Sequence, residues 1–268
     1  MNAKSSSYSG KSVALVLGSG GARGLAHIGV IAHLKRLGME IEYISGCSMG
    51  ALVGGIYAAG ELDAYEQWAR KLERKDVIGL LDLSFGFQGL FKGERVIGAL
   101  REITGEHNIE DLDVGFTAVA TDLLEQREIW LNSGPLFDAI RASMAIPTIL
   151  TPWEYQGRVL VDGGLLNPLP IAPALNQATD LIIAVNASGR RAAELTEKGS
   201  GVTVPGILDA MAMTLDTMQN AIARLKLAAY SPDVVIEIPR DACGSYEFYR
   251  AAELIDLGAE IAASVLSD

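Results

Sequence analysis

The stretch Ile41-Glu42-Tyr43-Ile44-Ser45-Gly46-Cys47-Ser48-Met49-Gly50-Ala51-Leu52-Val53-Gly54-Gly55-Ile56-Tyr57-Ala58-Ala59-Gly60 decides how this chain folds. Ile41 to Ser45 reads as a strand. Ser48 to Ala59 reads as a helix of small residues stopped by Gly60. Between them lies Gly46-Cys47-Ser48-Met49-Gly50, a G-x-S-x-G pattern in the strand-turn-helix setting of a nucleophile elbow. Gly46 and Gly50 keep side chains out of the tight turn. Ser48 is then held at the tip, where the positive end of the helix dipole favours developing negative charge.

Immediately upstream, Ser12 to Leu17 (SVALVL) is a short apolar run of the kind that forms a buried strand. It ends in Gly18-Ser19-Gly20-Gly21-Ala22-Arg23-Gly24, and Arg23 to Leu37 then has helical periodicity, with Gly38 placed as its C-cap. A glycine-rich loop between a strand and a helix presents unshielded backbone N–H groups to an anion, either a nucleotide phosphate or the oxyanion of an acyl transfer. The dinucleotide fingerprint fails because Arg23 takes the third glycine position, and no Gly-Lys-Ser/Thr follows to make a P-loop. The oxyanion reading fits better. Arg23 orients the loop, pairs with a phosphate head group, or simply pairs with a nearby acid.

Downstream, Leu62 to Arg74 and Arg95 to Ile103 read as helices, and Val114 to Thr121 with Glu128 to Asn132 as a strand hairpin. Pro135 to Met144 is helical, Arg158 to Val161 and Asp180 to Val185 are strands, and Ala187 to Gly201 is a polar connection. Pro205 to Leu227 is a long helix, followed by a strand at Val234 to Ile238 and a helix at Tyr246 to Leu266. Strands alternating with helices imply a mostly parallel sheet covered on both faces, in one domain over 12–268 behind a flexible, Ser-rich segment 1–11. Leu80 to Lys92, with three Phe and two Gly, reads as a lid or as a loop folded under the core. The long helix carries Met211, Met213 and Met218, for which core packing is the better reading and a lipid pocket the other.

A nucleophilic serine needs a base. His27, His33 and His107 are the three histidines, and none follows the nucleophile near the chain end, where an α/β-hydrolase carries its base. His27 and His33 read as structural, and His107 sits in a polar turn. The remaining candidate is Asp162, in Val161-Asp162-Gly163-Gly164 at the end of a strand, where sites in parallel sheets are built. The glycines after it, Gly163 foremost, let backbone or substrate come close. Burial would raise the pKa of this carboxyl and make it a better base. Cys47, beside the nucleophile, reads as a small packed residue.

These segments together resemble the patatin-like phospholipase family in its short bacterial form, whose pattern is a G-G-G-x-R-G loop, a G-x-S-x-G elbow and a D-G-G/A motif in this order. Ser19 stands where the family has its first glycine. Arg141-Ala142-Ser143-Met144-Ala145-Ile146-Pro147 and Pro232-Asp233-Val234 resemble further segments of the family, and the match runs from about Ser12 to Pro170. The resemblance implies a three-layer α/β/α fold and a Ser48–Asp162 dyad. It also implies an oxyanion hole from Gly20, Gly21 and neighbouring Ala22, and a lipid ester, phospholipid or lysophospholipid, as substrate. No metal or organic cofactor is expected. A general carboxylesterase or thioesterase, and a nucleotide-binding or regulatory protein without hydrolysis, remain open on the sequence.

Composition narrows the partners. The chain has 268 residues, of which 49% are hydrophobic and 21% charged, so it has material for a core and is not a disordered polymer. With Lys plus Arg at 22 and Asp plus Glu at 33, the net charge is −11, which excludes bulk nucleic-acid binding and charge-driven docking on anionic membranes. Contact with a membrane surface would be apolar and transient, through Phe85, Phe87 and Phe91. Two cysteines, Cys47 and Cys243, make neither a disulfide framework nor a zinc site. Met1 to Lys11 has no apolar core of a signal peptide, and no run suits a membrane span; the expectation is a soluble, cytoplasmic protein.

Overall fold

A computed structural model describes residues 7–80, 91–147, 149–192 and 206–267. Its strands are β1 (Ser12–Leu17), β2 (Glu40–Cys47), β3 (Gly115–Asp122), β4 (Arg127–Leu131), β5 (Trp153–Tyr155), β6 (Arg158–Asp162), β7 (Leu181–Gly189) and β8 (Val234–Pro239). Its helices are α1 (Ala26–Arg36), α2 (Met49–Ala58), α3 (Leu62–Ala69), α4 (Arg74–Gly79), α5 (Glu94–Thr104), α6 (Leu136–Ser143), α7 (Ile207–Tyr230) and α8 (Ala251–Val265). The strands form one sheet in the order β5-β6-β3-β2-β1-β7-β8, with β4 also paired to β3. β3, β2, β1, β7 and β8 run parallel, while β4, β5 and β6 are antiparallel additions.

Alternation along β1 shows how the layers are built. Val13, Leu15 and Leu17 pack into the larger core with α1, α2 and α8, represented by Ile28, Ile31, Val53, Ile56, Leu254 and Ile255. Ala14 and Val16 face the other way, onto Leu169, Ile171, Ala174 and, from α7, Ala223. Both faces being covered, every residue from Val13 to Leu17 is fully buried, which is why this strand reads as an unbroken apolar run. The architecture is the expected three-layer α/β/α fold.

One feature of the sheet places the site. β2 pairs with the first part of β3, ending at Cys47 opposite Val119. β6 pairs with its second part, ending at Asp162 opposite Ala120. Because β4 occupies the other edge of β3 over Ala118 to Asp122, β2 and β6 share one edge. Their C-terminal ends therefore meet head to head at adjacent β3 residues. Ser48 follows one end and Asp162 is the other.

Several elements differ from the sequence reading. The helix expected over Leu62 to Arg74 is shorter, because α3 ends at Ala69; a separate helix, α4, then opens at Arg74 with a capping box in which Asp76 Oδ2 accepts from the Glu73 N–H at 2.9 Å. The first helix is preceded by a 3-10 turn, Gly21–Leu25, and the last by another, Phe248–Arg250. β5 has no counterpart in the sequence reading; it is a three-residue edge strand turned back by Gln156 and Gly157, both at positive φ. The hairpin β3–β4 and the Gly38 cap, at φ +77, are as expected. Of the N-terminal segment, Tyr8 to Lys11 form a turn in which the Gly10 N–H donates to Gly38 O, and 1–6 lie outside the described residues. So do 81–90 of the expected lid and 193–201 of the polar connection.

Candidate active site

Ser48 sits at φ 56°, ψ −122°, the N-cap of α2. A non-glycine residue there carries strain of about 1–3 kcal/mol, the cost of a turn sharp enough to lift one side chain off the sheet. What surrounds the turn explains its glycines. A side chain on Gly50 would run into the Leu17 carbonyl, and one on Gly46 into Gly50 O and Ala51. The serine is 2% exposed and lines an apolar cavity.

Asp162 enters the same cavity. Its backbone N–H donates to Ala145 O at 2.9 Å. Its Oδ1 accepts from the Gly164 N–H at 2.7 Å and from the Cys47 thiol at 3.8 Å. Gly163 passes so close to β3 that a Cβ would strike the Val119 carbonyl. Full burial pushes the Asp162 pKa up from 3.8 to about 6; the Ser48 hydroxyl, the Gly164 N–H and the Cys47 thiol pull it back. The serine thus lies near enough to act on the carboxyl electrostatically. No bond of ordinary geometry joins them, however, and Asp162 Oδ2 has no hydrogen-bond partner among the described residues. An unliganded site often tightens this contact only around substrate.

The glycine-rich loop crosses the same cavity, held from several sides. The Ser19 N–H donates to Pro168 O at 2.8 Å, and His27 Nε2 donates to Gly18 O at 2.8 Å. Arg23, 3% exposed, donates through Nε to Gly20 O and through Nη1 to Arg240 O, each at 3.0 Å, and pairs with Asp216 of α7 at 3.6 Å. Arg23 therefore anchors the loop. The Gly20–Gly21 peptide is planar and trans, so a carbonyl held by Arg23 turns the Gly21 N–H the opposite way. Gly21 needs φ +55, and a Cβ there would meet Ser245 O. Ser19, in place of the family's first glycine, is not at positive φ and fits; its Oγ donates to Gln219 Oε1 at 3.4 Å. The expected third donor is corrected: the Ala22 N–H is already given to Ser245 O at 2.9 Å. Those of Gly20 and Gly21 have no partner among the described residues.

The histidines stay apart from this chemistry. His27 is wholly buried under the loop, its pKa pushed down to about 4 by desolvation against the opposing effect of Gly18 O, so it is neutral. His33 Nδ1 lies 3.2 Å from Arg36 Nη2, and His107 Nε2 bonds Thr104 O at 2.8 Å. None of the three lines the cavity. Cys47 is buried and its thiol is pushed well above the ordinary range, first by desolvation and then by Asp162, so it is no reactive thiolate.

The cavity encloses about 220 Å³ open to water-sized molecules and is walled mainly by apolar side chains, including Leu25, Leu52, Trp68, Val96, Leu100 and Ile149. Sequence reasoning passed over four of its supports. Arg141 bonds Lys92 O and the Thr151 carbonyl and hydroxyl, tying two strips of the mouth together. Gln219 and Asp216 bring α7 onto the loop. Ser143 receives the Ser48 N–H. Only the R-A-S-M-A-I-P resemblance hinted at Arg141 and Ser143. The methionines are corrected: Met211, Met213 and Met218 are 44%, 59% and 51% exposed, because α7 turns Ala212, Leu215, Gln219 and Ala223 inward instead. Phe91 is half-buried and bridged to Leu150, and Phe85 and Phe87 lie outside the described residues.

A strand-turn-helix serine beside a buried carboxylate, at the end of an apolar cavity, belongs to the ester-cleaving α/β enzymes. The family model for patatin-like phospholipase matches residues 15–175, and the chain belongs to that family of lipid acyl hydrolases. An uncharacterised NTE family protein of Mycobacterium tuberculosis is 37% identical, over 95% of this chain and 91% of its own length. Patatin-like phospholipase domain-containing protein 7 of Rattus norvegicus is 31% identical over 72% of this chain, a match spanning 15% of that longer protein. Lysophospholipase nte1 of Emericella nidulans is 32% identical over 66% of this chain and 12% of its own length. Among the described residues no helix is long and apolar enough to cross a membrane, and no cluster of His, Cys, Asp and Glu suits a metal ion.

Proposed function

We propose that residues 12–268 form one catalytic unit that hydrolyses the carboxylic ester of a phospholipid or lysophospholipid with a Ser48–Asp162 dyad. The observation that carries this is the end-to-end meeting of β2 and β6, which sets Ser48 beside a buried carboxyl whose pKa is raised to about 6. Ser48 Oγ attacks the ester carbonyl while Asp162 takes its proton. The carbonyl oxygen becomes an oxyanion, received by the N–H groups of Gly20 and Gly21, each such donor contributing roughly 2.7–4 kcal/mol. The tetrahedral intermediate collapses, the alcohol leaves with the proton from Asp162, and an acyl-Ser48 ester remains. Asp162 then draws a proton from water, hydroxide attacks the acyl carbon, and Ser48 leaves reprotonated.

The apolar wall supports an acyl chain as the part of the substrate held in the cavity. The exposed methionines of α7, with Ile78 and Tyr246 at 62% and 49% exposed near the mouth, support brief apolar contact with a lipid surface. At a net charge of −11 that contact would favour uncharged or zwitterionic lipid. A panel of acyl esters of rising chain length, run with a fluorophosphonate that forms a serine adduct, tests the reading. Activity should rise with chain length and the adduct should lie on Ser48. Adduct formation at another serine would overturn the nucleophile; preference for short soluble esters would overturn the lipid.

A further inference from the structure

Both members of the dyad are tied to one short segment at the end of α6. Ser143, its last residue and wholly buried, takes the Ser48 N–H onto its Oγ at 2.9 Å. The single proton of that hydroxyl goes to Val119 O at 2.6 Å. Val119 is the β3 residue paired with Cys47, and its carbonyl is the one against which Gly163 is pressed. Two residues beyond Ser143, Ala145 O accepts the Asp162 N–H at 2.9 Å. The segment 143–145 thus touches the nucleophile on one side and the base on the other, through separate hydrogen bonds.

We propose that residues 143–145 act as a clip that sets the distance and angle between Ser48 and Asp162, with Ser143 as a positioning residue. This rests on the dyad reading given above. The case lies in which atom Ser143 holds. The N–H it receives belongs to the residue at φ +56, so it fixes the Cys47–Ser48 peptide plane from which the strained turn departs. A nucleophile and base held in reacting geometry lose much of their rate for a displacement near 1 Å, and this clip opposes such a displacement on both partners. Ser45 offers a comparison inside the same strand: equally buried, its hydroxyl also donates to a carbonyl, Pro170 O, at 2.6 Å, yet it touches neither member of the dyad.

The test compares Ser143→Ala with Ser45→Ala. Both remove one buried hydroxyl bonded to a backbone carbonyl; Ser143→Ala also leaves the buried Ser48 N–H without its acceptor and should lower the melting temperature somewhat more. Ser143→Ala should lower kcat roughly 10- to 100-fold and slow fluorophosphonate labelling of Ser48 in the same ratio. KM on a short-chain ester should stay within about threefold, and Ser45→Ala should keep kcat within about threefold as well. Equal kcat losses in the two variants, or a Ser143→Ala labelling rate equal to that of the parent, would overturn the clip while leaving the dyad intact. A parent protein that resists labelling at Ser48 would take the dyad and the clip down together. Should Ser143→Ala not fold, hydrogen exchange at the Ser48 amide of the unaltered protein decides: slow exchange is expected, and exchange as fast as in an open loop would overturn the bond.

Discussion

Replacing Asp162 by asparagine should stop turnover and make the protein more stable, with a pH dependence that identifies the carboxyl. Burial raises the folded-state pKa from 3.8 to about 6, so the folded protein holds this proton more tightly than the unfolded chain. The stability this group contributes is fully present below about pH 3.8 and is lost as pH rises through about 6. At roughly 1.36 kcal/mol per pH unit, ionising Asp162 costs the folded state about 3 kcal/mol at pH 8 and about 0.5 kcal/mol at pH 4. The amide has nearly the same shape, can still accept from the Gly164 N–H, and does not titrate. Asp162→Asn should therefore gain about 2.5 kcal/mol more over the parent at pH 8 than at pH 4. Urea unfolding followed by tryptophan fluorescence at both pH values measures the difference, and kcat/KM on a short-chain ester measures the loss of the base. A stability gap between variant and parent that is the same at pH 4 and pH 8 would refute the buried, destabilised carboxylate. Retained turnover would refute the base.

The pH–rate profile should show kcat/KM half-maximal near pH 6 and falling about tenfold per pH unit below it, the behaviour of a base that must be ionised. His33→Ala and His107→Ala should leave that limb in place and keep turnover within about tenfold; a thousandfold loss in either folded variant would point to a histidine base. Arg23→Lys, a side chain that cannot reach Gly20 O and Arg240 O as a fork, should lower kcat about tenfold with little change in KM, read by steady-state kinetics. Gly50→Ala, whose methyl would press on the Leu17 carbonyl, should destabilise by at least about 1–3 kcal/mol in denaturant titrations. Flotation with zwitterionic vesicles should show weak, salt-insensitive association that Met211→Gln with Met218→Gln reduces; strong salt-sensitive preference for anionic vesicles would contradict it.

What the sequence made legible was local. β1 is apolar throughout because both its faces are covered, and the elbow announces itself by a strand, a turn and small residues within ten positions. Asp162 was placed from its position at a strand end and from the family pattern. Its meeting with Ser48 depends on β3, whose sequence contains no sign of which strands share its edge. The missed supports are of the same kind: Ser143, Arg141, Gln219 and Ala145 act through hydrogen bonds to residues from 10 to 200 positions away, which leave no periodicity to read. β5 is too short to alternate, and the break between α3 and α4 rests on a Glu73–Asp76 box, an unusual use of Glu as the capping residue. The α7 methionines misled because their spacing does not say which face of the helix turns inward: Ala212, Leu215, Gln219 and Ala223 meet the cavity and the sheet, and the methionines lie on the other side.

Because β2 and β6 abut along one edge of β3, the spacing of the dyad is measured out by the backbone of a third strand. One residue of β3, a step of about 3.3 Å, separates the partner of Cys47 from the partner of Asp162. The strand works as a ruler that sets the coarse spacing, which the segment 143–145 trims, and loops that touch neither have no purchase on it. Segments between the strands can lengthen, shorten or change chemistry, and so reshape what enters the cavity, while the gap between Cys47 and Asp162 along β3 stays the same. An insertion inside β3 is another matter: a single added residue would lengthen the gap by one step and turn the following side chains to the opposite face of the sheet.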